Sequence, residues 1–90
     1  MRTIILDGGN IDDIDQLHAV LKEELALPDY YGGNLDALWD SLTGWADMPL
    51  TVRWVRFEES EKKLGEYGRS LLELFRDAEE EIDGFRLQLG

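Results

Sequence analysis

Asp36 and Asp40 stand four residues apart in the segment Leu35-Asp36-Ala37-Leu38-Trp39-Asp40-Ser41-Leu42-Thr43. At 100° per residue, Leu35, Leu38, Trp39 and Leu42 share one side of a helix, with Trp39 near its border. Asp36, Asp40 and Thr43 gather on another side. Like charges at this spacing repel by about a few tenths of a kcal/mol. Asp40 also falls in the C-terminal half, where the macrodipole disfavours an anion. Folding alone would not choose such a placement, and local conflicts of this kind mark functional sites.

The surroundings are equally uneven. Glu23 to Val52 carries six acids (Glu23, Glu24, Asp29, Asp36, Asp40, Asp47) and no Lys or Arg. It also holds Tyr30, Tyr31, Trp39 and Trp45, four of the nine aromatics. A charge run is commonly a solvated face. Acids mixed with aromatics instead suit a surface that meets a basic, concave partner, because arginine takes carboxylate and phosphate with the same bidentate fork. Carboxylates along a helix can then stand in for the phosphates of a nucleic acid.

Enzymatic readings are weaker. Two carboxylates offer fewer convergent oxygens than Mg²⁺ or Ca²⁺ needs, so no metal or other cofactor is expected. His18, the single histidine, falls on the apolar side of the first predicted helix and reads as a packed residue. No Ser-His-Asp arrangement is legible, and Gly8-Gly9 lacks the other glycines of a phosphate loop.

The elements that must position these residues follow from periodicity and punctuation. A strand is predicted at about 2 to 7, where consecutive Ile4, Ile5 and Leu6 suggest cover on both faces. Gly8-Gly9-Asn10 is turn chemistry. A helix follows from Ile14 to Leu25, with Asp13 and Gln16 as a capping box. Pro28 and Gly32-Gly33 interrupt the chain. Asn34 N-caps a second helix from 35 to 43, and Gly44 suits a left-handed C-terminal position. Pro49 opens a strand at 50 to 56. A short polar helix at 57 to 64 and an amphipathic helix at 66 to 81 come next. Alternating Phe85, Leu87 and Leu89 end the chain in a strand at 84 to 89. Strands joined by helical crossovers predict an α/β fold: a small three-stranded parallel sheet with about four helices packed on it.

Composition narrows the function class. The 90 residues suit one domain over 1–90. Twenty acids against nine bases give a net charge of −11, the wrong sign for direct nucleic-acid or anionic-membrane binding. The absence of Cys removes disulfides and thiol catalysis and suits a reducing compartment. No signal peptide or membrane-spanning stretch is legible, so a cytoplasmic location is expected.

The run Leu25-Ala26-Leu27-Pro28-Asp29-Tyr30-Tyr31-Gly32-Gly33-Asn34-Leu35-Asp36-Ala37-Leu38-Trp39-Asp40-Ser41-Leu42-Thr43-Gly44-Trp45 closely resembles the barstar family of intracellular ribonuclease inhibitors. The likeness extends over essentially the whole chain, including Asp15-x-Leu17-His18, Trp54, Phe57, Phe75-Arg76 and the final strand. It implies a stoichiometric inhibitor without catalytic activity, monomeric when free, that forms a 1:1 complex with a secreted barnase-type ribonuclease. The second helix and the loop before it would plug the enzyme's active site. Asp40 would replace a substrate phosphate among catalytic arginines and a histidine, and Tyr30 would pack on that histidine. Asp36 would reach an arginine of the guanine site, and Asp77 would be a more remote acid on the last helix. Tyr31, Gly32, Asn34, Leu35, Trp39, Thr43, Gly44, Trp45 and Asp47 complete the expected contact set.

The departures are few. Ser41 and Asp83 stand where the family's type member has cysteines. Asp47 and Asp77 replace glutamates, and Gly33 replaces an acid. The resemblance also implies a cis Met48–Pro49 bond. The alternative reading is an acidic interaction module of this fold that binds a different basic partner.

Overall fold

The three strands run parallel in the order β1 (Arg2–Asp7), β2 (Leu50–Val55), β3 (Phe85–Leu89). The structure is a computed structural model and describes residues 2–90. Helices α1 (Ile14–Glu24) and α2 (Leu35–Gly44) lie between β1 and β2, and α3 (Phe57–Leu64) and α4 (Glu66–Glu81) between β2 and β3. This is the α/β arrangement expected from the sequence.

Register decides which side chains share a face. Ile4 pairs with Val52, which in turn pairs with Leu87, and Leu6 pairs with Trp54, which pairs with Leu89. On this face Ile4, Leu6, Leu50, Val52, Trp54 and Phe85 are buried, in one cluster with Leu17, Leu21, Leu38, Leu42, Leu71 and Phe75 of the helices. The other face carries Thr3, Ile5, Arg53, Arg86 and Gln88, all exposed, around Thr51, which is buried in the central strand. Ile5 is 52 % exposed, so the expectation of a first strand covered on both faces is wrong. The helices pack on one side only, and the alternation of the strand then turns Ile5 to solvent despite its apolar neighbours.

Local signals account for the helix ends. Asp13 Oδ1 accepts the Gln16 amide at 2.7 Å. The return bond of the predicted capping box lands one residue early, the Asp12 N–H donating to Gln16 Oε1 at 2.7 Å. Gly8-Gly9-Asn10 forms a single 3-10 turn. A Cβ on Gly8 would lie 2.2 Å from the Arg56 carbonyl oxygen, so no larger residue lets this turn sit against the start of α3.

Gly44 corrects a second expectation. It is the last residue of α2, and the chain leaves through Trp45 at φ −118° without a left-handed turn. The Trp45 and Ala46 amides both donate to the Ser41 carbonyl, which occupies a terminal acceptor that a left-handed cap would otherwise satisfy. The Met48–Pro49 bond is cis. Among the described residues, no helix is long and apolar enough to cross a membrane.

Candidate functional site

Two segments build the site: α2 and the loop from Ala26 to Asn34 that delivers the chain to it. Asn34 starts the helix, its Oδ1 accepting the Ala37 amide at 2.8 Å. Leu38 and Leu42 are buried, while Leu35 and Trp39 are half-buried against the core. That anchorage leaves Asp36, Asp40 and Thr43 exposed on the outer side. Thr43 donates its hydroxyl to the Trp39 carbonyl at 2.9 Å, and Ser41 to the Ala37 carbonyl at 2.8 Å. Both hydroxyls are therefore spent on the helix itself.

The loop has no regular structure, and its fold rests on a few bonds. The Tyr31 amide donates to the Pro28 carbonyl at 3.0 Å, and Gly33 takes φ +67°, a left-handed conformation that favours glycine. Trp45 closes the far side, its indole N–H donating to the Ala26 carbonyl at 3.3 Å. The result is a cavity of about 390 Å³ between loop and helix, with Tyr30, Tyr31, Gly32, Asp40, Gly44 and Trp45 in its lining. Tyr30 is 81 % exposed.

A second groove, about 310 Å³, runs between α2 and α4. Leu35, Trp39 and Leu74 supply its apolar part, and Asp36, Asp77, Glu73 and Glu81 its charge. The last two were missed in the sequence. Their signal was available, since Glu73, Asp77 and Glu81 recur every four residues on one helix. Asp47 sits apart from both concavities, beside Trp45 in a shallow depression that Arg2 also lines. A larger cavity, about 770 Å³, lies at the C-terminal ends of the strands among Gly9, Arg56, Phe57 and Leu89 and holds none of the expected site residues.

Electrostatically the surface is one-sided. Lys22 bridges Asp29 at 3.5 Å. Among the described residues, Asp36, Asp40, Asp47 and Asp77 have no cationic partner. Free carboxylates beside Tyr30, Trp39 and Trp45 can take charge-assisted bonds from guanidinium or imidazolium groups, with the rings covering their flat faces.

His18 is not available for chemistry. It is 5 % exposed, and its ring nitrogens lie 2.7 Å from the Tyr31 hydroxyl and 2.6 Å from that of Tyr67. Burial lowers its pKa below the ordinary 6.5, against an opposing pull from Asp15. Burial raises both phenols, Tyr67 adding to the shift at Tyr31. Tyr31, grouped by sequence with the contact residues, is thus half-buried with its hydroxyl turned to the core. Among the described residues, no group of three or more His, Asp or Glu side chains is arranged to hold a metal ion.

An acidic helix, an aromatic-walled cavity beside it and a loop tied to both now stand together. The model of the family described as Barstar (barnase inhibitor) matches residues 1–89. The chain belongs to the barstar family. A Bacillus subtilis (strain 168) protein named "Putative ribonuclease inhibitor YrdF" is 51 % identical over 88 residues, covering 97 % of each chain. Barstar-family membership accounts for the parallel sheet, and it indicates an inhibitor rather than an enzyme.

Proposed function

We propose that this chain is a stoichiometric inhibitor of a barnase-type ribonuclease, and that α2 and the loop before it close the enzyme's active site. The family match and the name of the relative support the inhibitor role. The observation that carries the mechanism is Asp40: an exposed carboxylate without a cationic partner among the described residues, lining the cavity that holds Tyr30 and Trp45. In that position it takes the place of an RNA phosphate before the enzyme's arginines. Tyr30 stacks on a catalytic imidazole, and Asp36 and Asp77, which line one groove, hold a second basic group. Asn34, Leu35, Trp39 and Thr43 frame these contacts, and Asp47, beyond Trp45, meets the enzyme at the rim.

The net charge of −11 draws a basic enzyme in and speeds encounter. The partner is a ribonuclease bound for export, met as a 1:1 complex in the cytoplasm before it can degrade the cell's RNA. The free inhibitor is a monomer.

Titration of barnase activity with this protein tests the reading. A sharp 1:1 end-point is expected. Asp40→Ala is expected to weaken binding by about 3–5 kcal/mol, because it leaves charges on the enzyme buried and unpaired. Full ribonuclease activity in excess protein overturns the reading in favour of a different basic partner. Unimpaired inhibition by Asp40→Ala overturns the phosphate-mimic role.

A further inference from the structure

The loop that carries Tyr30 has no secondary structure of its own, yet one of its side chains is tied to the far side of the fold. Tyr31 Oη lies 2.7 Å from His18 Nδ1 of α1, and Tyr67 Oη of α4 lies 2.6 Å from His18 Nε2. The rings pack as well as bond. The imidazole centroid is 5.7 Å from that of Tyr31 and 5.9 Å from that of Tyr67, the latter edge-on at 82°. Three rings from three segments thus form a continuous strut, with the imidazole buried at its centre.

We infer that Tyr67 is a positioning residue for the candidate inhibitory loop: through His18 it holds Tyr31 in place, and Tyr31 sets the adjoining Tyr30. The inference rests on the inhibitor reading only for what the loop does. The ordering of the loop is a property of the free protein.

The chemistry of imidazole makes the strut a coupled unit. A neutral ring carries one N–H, so it donates to one tyrosine and accepts from the other. With both nitrogens occupied, neither phenol can drop out without leaving a buried ring nitrogen unpaired. The tie adds an anchor in the middle of the loop to those near its start, the Trp45 indole on the Ala26 carbonyl and the Lys22–Asp29 bridge. Tyr31 N–H to the Pro28 carbonyl is a local turn bond, and it does not fix the loop against the rest of the molecule. Burial excludes water from the histidine. The groups that face it are Asp15 from its own helix, Tyr31 from the loop and Tyr67 from α4.

Tyr67→Phe keeps the ring and removes the hydroxyl, and Tyr31→Phe cuts the same strut at its other end. Amide hydrogen exchange of the free protein reads the effect directly. In Tyr67→Phe the amides of residues 29–34 are expected to exchange about five- to tenfold faster, the factor that loss of one buried hydrogen bond implies. Amides of β2 keep their rates. Tyr31→Phe has the same effect, and the double variant adds little to either. His18 ring resonances in Tyr67→Phe are expected to titrate at lower pH than in the native protein. The imidazolium then loses an acceptor at Nε2, and the charged form makes the stronger bond.

In complex with barnase, the dissociation rate of Tyr67→Phe rises by a similar factor, while the association rate stays within about twofold because the surface charges are untouched. Unchanged loop exchange in Tyr67→Phe overturns the inference. So does equal acceleration of loop and β2, which would mean general destabilisation. If the native protein fails to bind barnase, the inhibitor reading falls for that enzyme, and the exchange data still decide the strut.

Discussion

Side chains that sequence alone ranks as ordinary do much of the positioning. Trp54 is fully buried, and its indole N–H donates to Ser60 Oγ at 2.9 Å inside the core. Ser60 reads in the sequence as one polar residue of a polar helix, yet it too is completely buried. Removing its hydroxyl leaves a donor without a partner where water cannot reach. Ser60→Ala is therefore expected to destabilise the fold by about 1–3 kcal/mol, measured as a lower urea midpoint with unchanged m-value. The same variant should inhibit normally under native conditions, since Ser60 lies on α3 and lines neither the loop cavity nor the α2–α4 groove.

At the scale of elements, α2 is the part whose formation the site depends on. It is a short helix carrying an i, i+4 acid pair and no basic residue in its last turn, so its intrinsic stability is low. Its start depends on the Asn34 cap, and its face is held by Leu38 and Leu42. Asn34→Ala is expected to cost about 1 kcal/mol of stability. It should also raise amide exchange in the first turn of α2 more than in α4. The edges of the sheet are treated with similar economy. Glu79 of α4 accepts the Leu87 amide at 2.9 Å, which places a charged group along the outer side of β3, where an unpaired amide would otherwise invite another strand.

For the molecule as a whole, the buried histidine links stability to pH. His18 has a folded pKa depressed by burial relative to its ordinary value. The unfolded chain therefore binds this proton first as pH falls, and stability drops from about pH 7 downward until the folded pKa is reached. Above the unfolded value both states are neutral and this contribution is complete. The unfolding free energy is expected to fall as the pH drops through the ordinary histidine value of 6.5, with a slope of at most one proton from this group, as measured by denaturant titration across pH. His18→Gln should remove that component of the slope.

Some of this was settled by the order of residues and some was not. Element types and most boundaries were legible because they depend on local signals: the Asn34 and Asp13 caps, the breaks at Pro28 and Gly32-Gly33, the 3.6-residue apolar spacing of α1, α2 and α4. The acidic face of α2 followed from the same spacing. What only the tertiary structure decided is how faces are shared. Ile5 lies exposed because helices cover one side of the sheet, and no local pattern records which side that is. Gly44 stays helical because the Ser41 carbonyl takes the next two amides. Tyr31 and Tyr67, 36 residues apart in the chain, meet on His18. Asp36 and Asp77 share a groove with Glu73 and Glu81 only because α2 packs on α4. Local propensity is written within a few residues of each position. Contacts between elements arise from the packing of all of them at once.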